Sequence, residues 1–143
     1  MNANSDNPGE MDQQHKRLGE LVATVRKALK KERGPDELGA VLAGLLGFMR
    51  SHFSQEEDLM RRYGYEGLES HTQTHRVLFE RLAELTGETF DNFSATTKER
   101  LLVFLEQDLS YHIVEDMYAW EVGQLKKRFA NQRLYEHEAQ LES

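Results

Sequence analysis

Five of the six histidines fall on what would be the inward face of a helix, and two acidic residues follow histidines by four positions. Four residues turn an α-helix by about 400°, so residues i and i+4 lie about 6 Å apart on one face. Three pairs with this spacing therefore each direct two ligand-type side chains into one space: His71 with His75, His52 with Glu56, and His112 with Asp116.

A single histidine on an apolar face is usually a core residue that is satisfied by one hydrogen bond. A core that holds five imidazoles and two carboxylates is different, because each group left unpaired costs at least about 1–3 kcal/mol. A metal pairs all of them at once, whereas a metal-free polar core would need a protein acceptor for every imidazole. We therefore predict a metal site with the candidate ligands His15, His52, Glu56, His71, His75, His112 and Asp116.

The chain contains no cysteine, which excludes disulfides, thiolate zinc sites, iron–sulfur clusters and cysteine nucleophiles. Imidazole and carboxylate ligands suit iron, manganese or zinc, and the cores of helical bundles host two-metal carboxylate sites. If Glu56 and Asp116 each bridge two octahedral ions, the protein supplies about nine of the twelve ligand positions. An oxo or hydroxo bridge would fill two more and leave one position for a small ligand.

The spacing of apolar residues predicts four amphipathic helices. The first runs from about Met11 to Glu32, and "RGPDELG" separates it from the second, whose first turn suits Pro35. The third begins near Leu68 and ends near Gly87. A loop then leads to the fourth, with Ser94 or Thr96 as its N-cap. The predicted fold is all-α, an antiparallel up-down four-helix bundle.

The predicted organisation is a polar N-terminal arm at 1–10, the bundle at 11–120 and a charged C-terminal extension at 121–143 that could be helical. The extension could transmit strain from the site to a fused or partner output domain, or it could only solubilise the chain. In the second helix Ala40, Ala43, Gly44 and Gly47 share one face, which indicates close helix packing, with a ligand channel or a dimer interface as alternatives.

The formal net charge of −7, from 18 basic and 25 acidic residues, disfavours nucleic acid and anionic membranes as partners. The N-terminal residues lack the basic start and apolar region of a signal peptide. The most apolar run, Leu38 to Met49, is too short to span a bilayer. These features predict a cytoplasmic location.

Four segments together resemble the helical signatures of the hemerythrin family, particularly the bacteriohemerythrins: "MDQQHKRL", "HFSQEEDLM", "HTQTH" and "HIVED". The resemblance covers residues 11 to 120 and implies two non-haem iron ions. It implies that one iron is held by His71, His75 and His112, and the other by His15 and His52. Glu56 and Asp116 would bridge them. Dioxygen would bind at the open position of the two-histidine iron, and Leu109 would match a pocket leucine of the family.

The sequence departs from the family pattern at three places. Asp108 stands where a tryptophan is expected beside Leu109, and the aromatic N-terminal arm is replaced by "MNANSDNPGE". The family's aspartate five residues after the last histidine is Met117 here, and the acid comes at Asp116. Related domains place a glutamate at four residues, so Asp116 is the predicted bridge and Glu115 is its rival.

The resulting prediction is a dioxygen-binding di-iron protein for storage, delivery or sensing, without turnover of its own. Nitric oxide is an alternative ligand. The alternative functions are a di-iron enzyme or sensor that acts on peroxide or nitric oxide, and a plain iron-binding bundle. A histidine-rich set with only two acids favours binding over oxygen activation, which usually uses more carboxylates. Glu57, next to Glu56, is interpreted as a solvated acid or as an outer partner of a ligand.

Overall fold

The computed structural model describes the backbone of residues 8–118 and the side chains of residues 11–115. This part of the chain contains the helices α1 (Pro8–Lys30), α2 (Pro35–Arg62), α3 (Leu68–Asn92), α4 (Ala95–Val103) and α5 (Ser110–Tyr118). A six-residue π-helical segment, Phe104–Leu109, joins α4 to α5. These last three elements follow one another without a turn and form the fourth rod of an antiparallel up-down four-helix bundle. No strand occurs between residues 8 and 118, and the predicted all-α fold is confirmed.

The starts of α2 and α4 agree with the prediction, because a specific residue marks each of them. α2 begins at Pro35, and Asp36 and Glu37 lie in its first turn, where acidic side chains oppose the positive end of the helix dipole. At the start of α4 the Ser94 hydroxyl accepts a hydrogen bond from the backbone N–H of Thr97. Ser94, rather than Thr96, is therefore the N-cap.

The bounds of α1 and α3 differ from the prediction. α1 begins one turn earlier, at Pro8, and ends at Lys30, before Glu32 adopts a positive φ of 54°. α3 does not end near Gly87 but continues to Asn92. Thr86 and Thr89 lie in this last part, are buried, and donate their hydroxyl hydrogens to the carbonyls of Leu82 and Leu85. Their burial continues the inward face of α3 beyond Gly87.

The packing predicted for the small residues of α2 was wrong, because Ala40, Ala43, Gly44 and Gly47 are all exposed. The close approach on this helix is at buried Gly39 instead. A Cβ there would lie 2.5 Å from ring atoms of Phe90 on α3. Only a residue without a side chain allows this contact.

The π-helical segment was also absent from the prediction, which treated the fourth rod as one regular helix. In a π-helix the backbone bonds run from i to i+5, so each turn takes in an extra residue. The Ser110 hydroxyl donates to the carbonyl of Leu105 at 2.6 Å, one residue beyond the α-helical spacing. The segment thus sets the rotation of α5, which carries His112, relative to α4.

Two apolar clusters fill the described interior. The larger cluster contains residues of all four rods, including Leu18, Leu42, Leu82 and Leu105. The smaller cluster consists of Met11, Leu59 and Met60, with Tyr63, Tyr65 and Leu68 packed against it. It lies at the turn between α2 and α3. None of the helices in residues 8–118 is long and apolar enough to cross a membrane.

The predicted C-terminal extension, 121–143, and most of the predicted N-terminal arm lie outside the described residues.

Candidate metal centre

Six of the seven predicted ligands meet at one end of the bundle, between the two apolar clusters. In an antiparallel bundle the start of α1, the end of α2, the start of α3 and the end of the fourth rod lie at the same end. His15, His52, His71, His75 and His112 come from those places, and Glu56 lies one turn after His52. The local helical spacing sets each pair, and the chain topology brings the pairs together.

Glu56 is at the centre of this site, and its side chain is 1% exposed. Its Oε2 lies 2.9 Å from His15 Nε2 and 3.7 Å from His52 Nε2. Its Oε1 lies 3.0 Å from His71 Nε2 and 3.1 Å from His75 Nε2. Each oxygen of one carboxylate therefore faces a different pair of histidines.

The ligand-type atoms form two groups that share Glu56. One group contains Glu56, His71, His75 and His112, and the other contains His15, His52 and Glu56. Within each group the atoms all lie within 4.8 Å of one another. This division of the histidines is the one that the family resemblance implied for two ions.

The donor atoms fit a transition-metal ion in type and in spacing. For metal–nitrogen and metal–oxygen bonds of about 2.1 Å, two ligands of one ion lie about 3.0 Å apart at a right angle and about 4.2 Å apart when opposite. The distances of 2.9–3.7 Å from Glu56 to the four histidines fall within or close to that range. Imidazole nitrogen and carboxylate oxygen suit iron, manganese or zinc.

The ionisation of Glu56 is also suited to metal binding. Burial by itself raises the pKa of this carboxyl group. Hydrogen bonds from His15, His71 and His75, together with the charge of His52, outweigh burial and hold the pKa of Glu56 well below its ordinary value. The group is therefore a carboxylate at neutral pH.

Two of the histidines have an outer hydrogen-bond partner on their other ring nitrogen. His75 Nδ1 lies 2.7 Å from Oε2 of Glu57, so the Glu57 side chain is an outer partner of a candidate ligand. His52 Nδ1 lies 2.9 Å from Oε1 of Gln14 on α1. In both rings Nδ1 faces outward and Nε2 faces Glu56.

An aromatic side chain packs directly against the imidazoles. The ring of Phe53 is parallel to that of His75, with the centroids 3.8 Å apart, and is nearly perpendicular to the ring of His112, with the centroids 5.7 Å apart. Leu109, the predicted pocket leucine, is fully buried in the larger apolar cluster, as ordinary core packing also requires. Phe53 covers one face of the His75 ring.

The second bridging carboxylate was predicted as Asp116, with Glu115 as its rival. Glu115 is exposed, and its carboxylate lies 4.0 Å from His112 Nδ1 and outside both donor groups. The side chain of Asp116 lies outside the described side chains, so its role as a bridge remains a prediction.

Asp108, which stands where the family pattern has a tryptophan, forms an ion pair with Arg81 of α3 at 2.8 Å. This pair ties the π-helical segment to α3 at the surface.

Sequence reasoning missed Gln14 and Phe53. Gln14 directly precedes His15, and Phe53 directly follows His52. Both are about 100° from a ligand around their helix, on the flank of the inward stripe. A search of the flanks for polar and aromatic residues would have found them, but not their partners.

Comparison with known proteins agrees with this geometry. The sequence profile of the Hemerythrin HHE cation binding domain matches residues 8–116. The bacteriohemerythrin of Campylobacter jejuni serotype O:23/36 is 36% identical over 75 residues, which are 52% of this chain and 56% of that protein. The bacteriohemerythrin of Stenotrophomonas maltophilia is 32% identical over 74 residues, 52% of this chain and 48% of that protein.

A bacteriohemerythrin of Pseudomonas paraeruginosa is likewise 32% identical over 75 residues. The chain spans about half the length of these curated relatives. No solved structure matches it. The structure combines a helical bundle with two groups of histidines that share the carboxylate of Glu56, and the family match covers residues 8–116. Together they define a cation-binding domain. The chain belongs to the hemerythrin family.

Proposed function

We propose that this protein is a non-haem di-iron protein that binds dioxygen reversibly, for storage, delivery or sensing, and is not an enzyme. The observation that carries the proposal is Glu56, whose two oxygens face two separate groups of histidines. Membership of the hemerythrin family supports the same conclusion. Ferrous ions held there would supply the electrons and the open coordination position that reversible dioxygen binding needs.

The two donor groups are unequal, which suggests where the ligand binds. Three histidines accompany Glu56 in one group and two in the other. If Asp116 bridges as predicted, the group of His15 and His52 has one protein ligand fewer. We therefore place the open position on that side.

The surroundings of the site favour binding over turnover. Phe53 stacks on His75, and Met11, Leu59 and Leu109 are buried in the two apolar clusters. Few water molecules and no exposed proton donor would then reach the bound gas from these directions. Slow proton delivery would hinder the release of the bound, reduced oxygen as hydrogen peroxide, so that the oxygen can leave again as dioxygen.

The test is anaerobic reconstitution of the full-length protein with ferrous iron, followed by metal analysis and visible spectroscopy. We expect about two iron ions per chain and a visible absorption band that appears in air and disappears under vacuum over repeated cycles. Failure to bind iron would reject the metal site. Steady consumption of peroxide or nitric oxide, faster than by free iron, would instead support the enzymatic alternative.

A further inference from the structure

The hydrogen bonds on the outer side of the site show a directional chain from His52 to the surface. Gln14 Nε2 donates to Gln55 Oε1 at 2.6 Å, and Gln55 Nε2 donates to the Ser51 hydroxyl at 3.0 Å. Since the amide nitrogen of Gln14 is used in this bond, its oxygen faces His52 Nδ1 at 2.9 Å. An amide oxygen only accepts, so Nδ1 of His52 carries the hydrogen.

The corresponding contact of His75 is with an acid. Glu57 Oε2 lies 2.7 Å from His75 Nδ1, a short distance of the kind found when the acceptor is charged. A carboxylate has no hydrogen to donate, so Nδ1 of His75 also carries the hydrogen. The parallel ring of Phe53, 3.8 Å away, fixes the plane of this imidazole.

Outer partners of metal-bound histidines determine which ring nitrogen is available and how strongly it donates. A carboxylate partner draws the Nδ1 hydrogen towards itself and makes the opposite nitrogen more basic, whereas an amide partner does so much less. His75 belongs to the three-histidine group and His52 to the two-histidine group. The two groups thus contain histidines with different outer partners.

We propose that Gln14 and Glu57 are positioning residues that hold His52 and His75 with Nδ1 protonated and Nε2 directed into the site, and that their different charges make the two histidines unequal metal donors. This inference rests on the metal site of the proposed function but not on dioxygen binding. Glu57 strengthens the binding of the ion held by His71, His75 and His112. Gln14 strengthens the binding of the ion held by His15 and His52 less than a carboxylate would, so this ion is bound more weakly than the other.

The first experiment uses cobalt(II), whose binding is followed by its visible absorption in competition with a chelator and needs no oxygen. We expect E57Q to weaken the tighter of two binding steps by about 10–100-fold, the usual effect of an outer partner. D58N is the matched control, since Asp58 is an exposed neighbour paired with Arg61 and its change removes the same charge. Equal affinities in E57Q and the wild type would overturn the inference for Glu57.

Gln14 is tested in both directions. Q14L removes the acceptor and should weaken the looser binding step, while Q13L, at the exposed neighbouring position, should not. Q14E keeps an acceptor for His52, so its affinity should equal or exceed that of the wild type. The Gln55 amide can rotate to donate to the new carboxylate and to accept from the Ser51 hydroxyl. Wild-type affinity in Q14L, or weaker binding in Q14E than in Q14L, would contradict the role.

The second experiment separates this inference from the metal site itself. In NMR spectra of the metal-free protein, the Nδ1 hydrogens of His52 and His75 should be protected from solvent exchange. Q14L and E57L should remove that protection at His52 and His75 respectively, with circular dichroism confirming the fold. Absence of the protected hydrogens in the wild type would overturn the inference, whereas their presence without cobalt binding would reject the metal site alone.

Discussion

At the scale of residues, one side of the site is formed by a pair of imidazoles on one helix face, which both face the same oxygen of Glu56. His71 Nε2 and His75 Nε2 lie 3.0 Å and 3.1 Å from Oε1. Replacing either residue with alanine should lower the iron content, because one of three imidazoles of the group is lost. We expect the affinity for iron to fall by more than about 100-fold, which is the upper end of the usual effect of removing an outer hydrogen-bond partner. Metal analysis after reconstitution measures this.

The control for these variants is Q73A, an exposed residue between the two histidines. It should retain wild-type iron content. If H71A and H75A both retain it as well, these residues are not ligands.

Glu56 gives the metal-free protein an acid-sensitive stability. Burial raises the pKa of Glu56, but the histidine hydrogen bonds and charge hold it well below the ordinary value of about 4.3. A depressed folded pKa stabilises the protein above the unfolded pKa, and this contribution is lost as the pH falls towards the folded value. The free energy of unfolding of the metal-free wild type should therefore fall below about pH 4.3, and that of E56Q should fall less. Urea titrations at a series of pH values test this, and parallel pH curves would refute it.

The residue scale also shows what sequence could and could not predict. The pairs His71–His75 and His52–Glu56 follow from the turn of a single helix, so spacing alone places them on one face. The contact of Gln14 with His52 joins α1 to α2 at 2.9 Å. It depends on how the two helices are rotated against each other, which side-chain packing decides and spacing does not.

At the scale of elements, the π-helical segment Phe104–Leu109 determines where His112 points. Deleting Gln107, an exposed residue in it, should restore α-helical winding and leave the rotation of α5 nearly unchanged, because the wider π-helical turn already absorbs one extra residue. We expect the deletion variant to keep both its helical circular dichroism and its metal, whereas insertion of one alanine after Gln107 should rotate α5 by about 100° and lose metal. Loss of metal in the deletion variant, or normal metal content in the insertion variant, would contradict this role of the segment.

Two glycines of α2 should respond in opposite ways to alanine. Gly44 has no atom within 4 Å of an added Cβ, so G44A should raise the free energy of unfolding by about 1 kcal/mol. An added Cβ at Gly39 would lie 2.5 Å from the Phe90 ring, so G39A should not raise the free energy of unfolding. Urea unfolding measures both. In an F90A background, where the ring is absent, G39A should raise the free energy of unfolding as G44A does. Equal stabilisation by both changes would contradict the close contact.

The end of α3 was predicted incorrectly because burial in the bundle was not considered. Gly87 disfavours a helix locally, but the buried Thr86 and Thr89 continue the inward face to Asn92. Burial at the tertiary level therefore outweighs the cost of about 1 kcal/mol for an interior glycine. The π-helical segment has a similar origin, since nothing in the composition of "FLEQDL" distinguishes it from an α-helix. Such features depend on the packed bundle.

At the scale of the whole molecule, the candidate ligands tie all four rods together, so metal binding should stabilise the entire fold. An ion that binds only the folded state stabilises it by about 4 kcal/mol when free metal exceeds the dissociation constant 1,000-fold. We expect redox-inert zinc to raise the unfolding temperature of the full-length protein, and to raise that of an H52A/H75A double variant much less. An identical response of the two proteins would show that zinc acts elsewhere.

The order of the ligands along the chain has a consequence for biosynthesis. His15, His52 and Glu56 have all been translated once Glu56 is added, whereas the other group waits for His112. A ribosome-bound chain can therefore present three of its seven candidate ligands well before the rest exist. Whichever cellular metal is most available at that moment has the first opportunity to occupy these early ligands, and correct loading then depends on exchange after release.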